Sequence, residues 1–191
     1  MSFKEPSSTE VFFTVAIGYT IGSFFWKNYV KSMDLRGNER ILDYGSGSGA
    51  LSRHMAQILL KGGGHLTCVD ISQKWMSTIK KRMHNYSNVD FKLGKIDNLD
   101  ILDNSYDAIV IHYVLHDIRH DLREDILRAL TAKLKSGGKI YIREPIADNH
   151  GMPTGEIMEL MQKVGLNEIN LKIDNIRFIG QITEAIFEKQ S

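Results

Sequence analysis

The residues able to do chemistry gather in four short stretches. Residues 41–50, ILDYGSGSGA, place Asp43 ahead of glycines 45, 47 and 49. Apolar residues then recur at helical spacing at Leu51, Met55, Ile58 and Leu59, so the glycines form a strand-to-helix turn. Such a turn lets a ligand lie against the main chain, and the helix behind it offers N–H groups. Asp70 closes a second apolar run, HLTCVD, with Ile71 beside it. His112, Tyr113, His116, Asp117 and His120 follow a third run, and Arg143-Glu144-Pro145 ends a fourth.

Two cofactor classes use a turn of this kind. Gly45-x-Gly47-x-x-Ala50 fits a dinucleotide fingerprint, with Asp70 about 20 residues beyond Ala50. Gly45-x-Gly47-x-Gly49 behind Asp43 fits a different ligand. A carboxylate is a poor neighbour for a pyrophosphate, whereas S-adenosylmethionine (SAM) carries a sulfonium and an ammonium group and no phosphate. Asp43 therefore favours SAM, with Gly45, Ser46, Gly47 and Gly49 lining the turn. Asp70 would accept both ribose hydroxyls, and Ile71 would pack on the adenine. A turn that binds nothing is the plain alternative, as is Asp70 serving as a helix cap; Ser72 is better placed for that.

The histidines at 112, 116 and 120 are four residues apart, so a helix there would align them. Ordinary packing histidines, a general base and a metal site all fit this spacing. The base reading falls on His116 with Asp117 nearby. A catalytic metal would recruit ligands from separated segments as well, and none is expected. Glu144 would orient substrate, act as a base, or pair with Arg143. Tyr19 and Tyr113 are the other candidate substrate contacts.

These residues need an alternating scaffold to hold them. Strands are expected at 40–44, 65–69, 89–93, 107–112 and 139–143, with helices at 50–61, 73–84 and 121–134, the last ended by Gly137-Gly138. Strand–helix alternation implies parallel strands joined by crossovers, with helices on both faces: an α/β, three-layer architecture. A helix over 153–164 and strands over 168–178 and 181–188 follow, and strands joined so tightly must be antiparallel. Ahead of this scaffold, residues 1–8 read as frayed and Ser8 or Thr9 as a helix cap. Residues 11–32 are rich in aromatics, from Phe12 to Tyr29, and broken at Gly18 and Gly22. The expected organisation is a helical lid or appendage over 1–37 and a cofactor-binding domain over 38–191.

Composition narrows the function classes. The 24 basic and 23 acidic residues leave a net charge of +1, without the basic excess of a general nucleic-acid binder. One cysteine, Cys68, lies in an apolar strand pattern and fits a reducing cytoplasm. The uncharged run 11–26 follows Glu5 and Glu10, lacks a basic start and is short for a membrane span. A soluble, cytoplasmic protein is expected, with a homodimer or membrane-surface contact through the aromatic segment left open.

ILDYGSGSG resembles the first motif of the class I SAM-dependent methyltransferases. DNSYDAIVIHYVLHD and LKSGGKIYIREP resemble that family's fourth- and fifth-strand segments, and the likeness runs from about Asn38 onward. The resemblance implies a Rossmann-like seven-stranded sheet, order 3-2-1-4-5-7-6, with strand 7 antiparallel. It implies that GKIDNLD, residues 94–100, holds the adenine. Lys95 stands where the family commonly has an acidic residue, so Asp97 would take the amino group and Ile96 the ring. His112 would touch the cofactor through its backbone. HYVL stands where adenine and glutamine methyltransferases carry Asn/Asp-Pro-Pro-aromatic, and Cys68 is misplaced for a cytosine nucleophile. The expected function is methyl transfer from SAM to a small-molecule acceptor. The rivals are an NAD(P)-dependent oxidoreductase and a SAM-binding protein without catalysis.

Overall fold

The apolar runs become strands whose carboxyl ends carry the residues singled out above. The computed structural model describes residues 5–20, 22–146, 151–176 and 180–190. It forms two compact units, Met1–Leu99 and Asp100–Ser191. Seven strands make one sheet in the order β3-β2-β1-β4-β5-β7-β6.

In the first unit, β1 (Arg40–Tyr44), β2 (His65–Asp70) and β3 (Val89–Leu93) pair in parallel, with Asp43 opposite Cys68 and Asp70 opposite Leu93. Parallel pairing requires crossovers, which are α3 (Ser52–Gly62) and α4 (Gln73–Met83). Helix α3 buries Met55, Ala56 and Leu59, and α4 buries Met76, Ile79 and Met83. The α4 cap is the expected one: the Ser72 hydroxyl accepts from Trp75 N at 3.1 Å.

Helices α1 (Ser8–Tyr19) and α2 (Gly22–Ser32) precede β1. The α1 cap is Ser7, not Ser8 or Thr9. Its side chain accepts from Glu10 N while the Glu10 carboxylate accepts from Ser7 N, a reciprocal capping box. Residues 5–7 are also not frayed. The Glu5 carboxylate accepts from the Ser72 hydroxyl at 2.6 Å and from Gln73 N at 2.8 Å, and Lys74 Nζ donates to Pro6 O at 2.7 Å. The rest of the stretch expected to fray, 1–4, lies outside the described residues. Phe12, Phe13, Ile17 and Phe24 are exposed on α1 and α2.

In the second unit, β4 (Tyr106–His112) and β5 (Leu134–Pro145) pair in parallel, with His112 opposite Arg143. Helix α5 (His120–Lys133) ends before Gly137-Gly138, and β5 starts at once at Leu134. The glycine pair lies inside the strand, where the pairing with β4 shifts between Tyr106 and Ala108. Helix α6 (Thr154–Lys163) leads to β6 (Leu166–Ile176) and β7 (Gly180–Lys189), which pair antiparallel. Strand β6 begins two residues earlier than expected, and the end predicted for it at 178 lies outside the described residues. Most of β6 is exposed, and Glu168, Lys172 and Asp174 place charges along it, as suits an edge strand. No helix among the described residues is long and apolar enough to cross a membrane.

Candidate functional site

In the first unit the glycine turn hangs on its own hydrogen bonds. Gly45 N and Ser46 N both donate to Val69 O, Gly49 N donates to Ser46 O, and Gly47 N donates to Asp70 Oδ2 at 2.8 Å. A pyrophosphate cradle needs such N–H groups aimed at the ligand. Here the N–H groups of Gly45, Ser46, Gly47 and Gly49 are already taken by Val69 O, Asp70 and Ser46 O, so they are not free to cradle a phosphate.

The glycines divide the work. A Cβ built on Gly47 would meet nothing nearer than Gly45 O at 3.9 Å, so open space lies in front of it. A Cβ on Gly49 would stand 2.6 Å from Ile79 Cγ1 and 3.1 Å from Met83 Sδ. Gly47 leaves room for a ligand; Gly49 lets α4 approach the turn. The Ser46 hydroxyl is buried with no hydrogen-bond partner, an orphan that a ligand would satisfy.

Asp70 is held at both oxygens: Oδ1 accepts from Ser72 N at 2.8 Å and Oδ2 from Gly47 N. Burial raises its pKa, the two N–H donors oppose that rise, and Glu5 adds to it. Each oxygen keeps a lone pair, so a ribose diol remains a fitting partner. Beside it Ile71 is exposed, an apolar face available to a purine.

Asp43 is 2 % exposed beneath the turn, and its Oδ2 accepts from the Ser52 hydroxyl at 2.5 Å. Burial lifts its pKa to about 7, against the Ser52 bond and with help from the Asp70 charge. The Ser52 partner was missed from the sequence, although nine residues across a strand-to-helix turn is a readable spacing. Ile96 is buried at 1 %, which leaves its backbone rather than its side chain for a ring. Asp97 is exposed, and it and Asp70 raise the pKa of Tyr44, whose burial is the larger cause. Tyr19 reaches the turn from α1: its hydroxyl donates to Ser48 O at 3.1 Å.

In the second unit the histidines separate into different settings. His112 ends β4, its ring 4.3 Å from that of Tyr113, and burial followed by the Arg143 charge lowers its pKa to about 3. Tyr113 adopts φ +58°, an uncommon conformation for a residue with a side chain, and its N donates to Arg143 O at 2.9 Å. Burial pushes its phenol up to about 12. His120 begins α5 and is exposed. No continuous helix aligns the three rings, because a 3-10 turn, Leu115–Asp117, intervenes. No group of three metal-ligating side chains occurs among the described residues.

His116 has a different partner from the one expected. Its Nδ1 lies 2.6 Å from Glu144 Oε2, while exposed Asp117 stands 3.6 Å from Nε2. Glu144 is fully buried, and its Oε1 accepts from Val114 N at 2.9 Å and Leu115 N at 2.7 Å. Burial lowers the His116 pKa, but the hydrogen bond and charge of Glu144 outweigh it, and the net shift is upward. Arg143 does not pair with Glu144. Successive residues of β5 face opposite sides, and Arg143 bonds Glu184 on β7 instead. Arg123 on α5 fixes the 3-10 turn from behind, donating to His116 O at 3.2 Å and Ile118 O at 2.9 Å and pairing with Glu156 at 2.6 Å. Sequence reasoning missed Arg123, which reads there as one more charge on an amphipathic helix.

The family model for the methyltransferase domain matches residues 41–138. The chain is 26% identical over 153 residues to the ubiquinone/menaquinone biosynthesis C-methyltransferase of Pectobacterium atrosepticum, covering 74% of this chain and 60% of that protein. It is 29% identical over 141 residues to the demethylmenaquinone methyltransferase of Thermotoga maritima, covering 72% and 58%. The chain thus spans less than two thirds of the length of these relatives. Among solved structures, the magnesium protoporphyrin IX methyltransferase of Synechocystis with bound SAM superposes with TM-score 0.71 at 16% identity, over 98% of this chain and 87% of that one. The matched segment opens with the Asp43 glycine turn and runs through Asp70 and His116, and the sheet order is the one the resemblance implied. The chain belongs to the methyltransferase-domain family and has the Rossmann-like fold of the SAM-dependent methyltransferases.

Proposed function

We propose that this protein transfers the methyl group of SAM to a small-molecule acceptor that must lose a proton, with His116 as the general base. The observation that carries the reading is the 2.6 Å contact between His116 Nδ1 and buried Glu144. A carboxylate on Nδ1 fixes the ring's tautomer and leaves Nε2 as the basic atom. When bound, SAM supplies a methyl group on a sulfonium whose departure leaves a neutral thioether. The chain's residues then hold and align. Asp70 binds the ribose hydroxyls and Ile71 covers the adenine, with the Ile96 backbone and Asp97 at its edge and the His112 backbone as a further contact. Gly45, Ser46, Gly47 and Gly49 shape the floor, and Asp43 supports it from below with a charge that favours a cation. His116 takes the acceptor's proton, buried Glu144 orients its ring from behind, and Tyr19 and Tyr113 are the substrate-side groups.

The relatives named for quinone methylation suggest a phenolic or quinol acceptor, whose hydroxyl becomes a better electron source once deprotonated. Buried, single Cys68 supports a cytoplasmic setting. We also read residues 1–37 as a lid, from the Tyr19 bond to Ser48 and the Glu5 bonds to α4. The test is release of S-adenosylhomocysteine from the purified protein with a panel of quinols, phenols and amines. Turnover with hydroxylated acceptors, lost in His116→Asn, is the expected result; turnover unaffected by that change overturns the base. Thermal unfolding should rise with SAM and not with NAD, by about 2.7 kcal/mol at a hundred times the dissociation constant.

A further inference from the structure

Apart from the turn's ligand face, the first unit contains a cleft of about 420 Å³ lined by Tyr19, Ser23, Arg53, His54, Gln57, Arg82 and Tyr86. Its electrostatics are one-sided. The Arg53 guanidinium lies 4.1 Å from the centre of the Tyr19 ring and that of Arg82 lies 4.5 Å from the same ring. Two like charges thus lie against one aromatic ring. Stacking on a ring stabilises each cation modestly and does not cancel their repulsion. Neither arginine has an acidic partner among the described residues: Arg53 Nη2 donates only to the Ser23 hydroxyl, at 2.6 Å, and Arg53 Nε is buried with no hydrogen-bond partner. Arg53 is half-buried and Arg82 exposed, whereas the chain's buried arginines are matched by carboxylates: Arg123 by Glu156 and Arg143 by Glu184. His54, 8 % exposed, also feels this field: burial first, then Arg53 and Lys27, lower its pKa to about 4.

We propose that this cleft is a second ligand site, distinct from the cofactor site, which binds the phosphate group of a small molecule or lipid through Arg53 and Arg82. Phosphate is the matching chemistry because guanidinium groups present forked donors to its oxygens and because a dianion offsets two gathered cations. Ser23, Gln57 and Tyr86 supply neutral donors. The volume lies within the range of sites for organic ligands, so it exceeds a bare oxyanion and leaves room for an attached group beside Tyr19 and Tyr86. The site also reports to the glycine turn, since the Tyr19 hydroxyl that holds Ser48 O belongs to the ring that both arginines contact. The inference does not depend on the methyltransferase reading.

The test titrates the whole protein with inorganic phosphate by calorimetry, while histidine ring resonances are followed by NMR. Saturable binding is expected, weakened at least tenfold in Arg53→Gln and in Arg82→Gln, with SAM affinity retained. An anion held by Arg53 must also raise the low titration point of His54. Arg82→Gln keeps the Arg53–Ser23 bond, so it remains informative if Arg53→Gln loosens α2. Sedimentation with phosphatidylglycerol vesicles, against phosphatidylcholine vesicles, separates the sources. Pelleting that both variants abolish assigns a lipid headgroup; phosphate binding without pelleting assigns a soluble phosphate compound. No saturable phosphate binding and no arginine-dependent pelleting overturns the site. Displacement of phosphate by SAM in a one-to-one ratio overturns its independence, because the cleft would then belong to the cofactor.

Discussion

Two buried carboxylates organise the two units, and they are built differently. Asp43 in the first unit has one donor, the Ser52 hydroxyl, and its pKa is lifted to about 7. Glu144 in the second unit meets three: Val114 N, Leu115 N and the His116 ring. A buried charge is costly unless hydrogen bonds or an opposite charge compensate it. Glu144 has both within its own unit. Asp43 has neither in full, which is the condition expected beneath a site for a cationic ligand. Glu144 is a finished fixture that tunes a neighbour, whereas Asp43 is unfinished without a guest.

The largest effects should come from dismantling the finished pair. His116→Asn should lower turnover by about 10²–10⁴-fold, the usual range for general-base catalysis, with SAM affinity unchanged by calorimetry. In the wild type, activity should rise with pH as His116 loses its proton, through a value above the ordinary 6.5 because Glu144 raises it. Glu144→Gln should move that limb to lower pH. For stability, the raised His116 pKa contributes below about pH 6.5 and is lost as pH rises through the folded value. A pH–rate profile identical in Glu144→Gln and wild type would break the assignment.

Next in size is Asp70→Ala. It removes a charged acceptor from two ribose hydroxyls, at roughly 1.5–3 kcal/mol per bond, so SAM should bind more than tenfold more weakly. The same change frees Gly47 N and Ser72 N, so hydrogen exchange at those amides should quicken. Unchanged affinity in calorimetry would remove Asp70 from the cofactor site.

What the sequence revealed follows the range of the interactions involved. The first four strands, the glycine turn and the Ser72 cap depend on neighbours a few residues apart, and they stand within a residue of where expected. The His116–Glu144 pair spans 28 residues and the Ser72–Glu5 bond 67, so neither leaves a local pattern. The direction of Glu144 depends on the parity of β5 against β4. That parity was obscured because the strand starts at Leu134, ahead of its glycine pair, and not at Lys139. Composition did mislead once: the polar start of the chain reads as frayed, while Glu5 caps a helix far along the sequence. The aromatic segment read correctly as helices, yet periodicity says nothing of what covers Phe12 or Phe24.

The glycines sharpen the comparison at a smaller scale. Gly49→Ala would drive a methyl group into Ile79 and Met83 at a backbone angle of φ +78°. Overpacking of this kind costs about 1–3 kcal/mol, which should appear as a lowered melting temperature. Gly47→Ala strains a backbone at φ +51° but its methyl group meets open space, so it should lower stability less than Gly49→Ala while weakening SAM binding. The reverse pattern would mean that ligand and packing roles have been assigned to the wrong glycines.

Asp43→Asn tests whether the first unit is unfinished without its guest. The folded protein holds the Asp43 proton to about pH 7, whereas the unfolded chain releases it near 3.8. Between those values the folded state binds the extra proton, so Asp43 makes ligand-free stability fall as pH rises and level off above pH 7. Asparagine lacks this titration yet can still accept from Ser52. The variant should therefore match the wild type near pH 4 and gain on it up to pH 7. Because His116 and His54 titrate in both proteins, their contributions cancel in the difference. A gain of 1 kcal/mol corresponds to about 2–4 °C in Tm for a chain of this size. Saturating SAM supplies a cation that favours the ionised carboxylate, so the gap should close in its presence. A gap that is the same at every pH would show that burial does not hold Asp43 protonated. A pH-dependent gap that SAM leaves untouched would reduce Asp43 to a positioning residue for Ser52 and remove its charge from cofactor recognition.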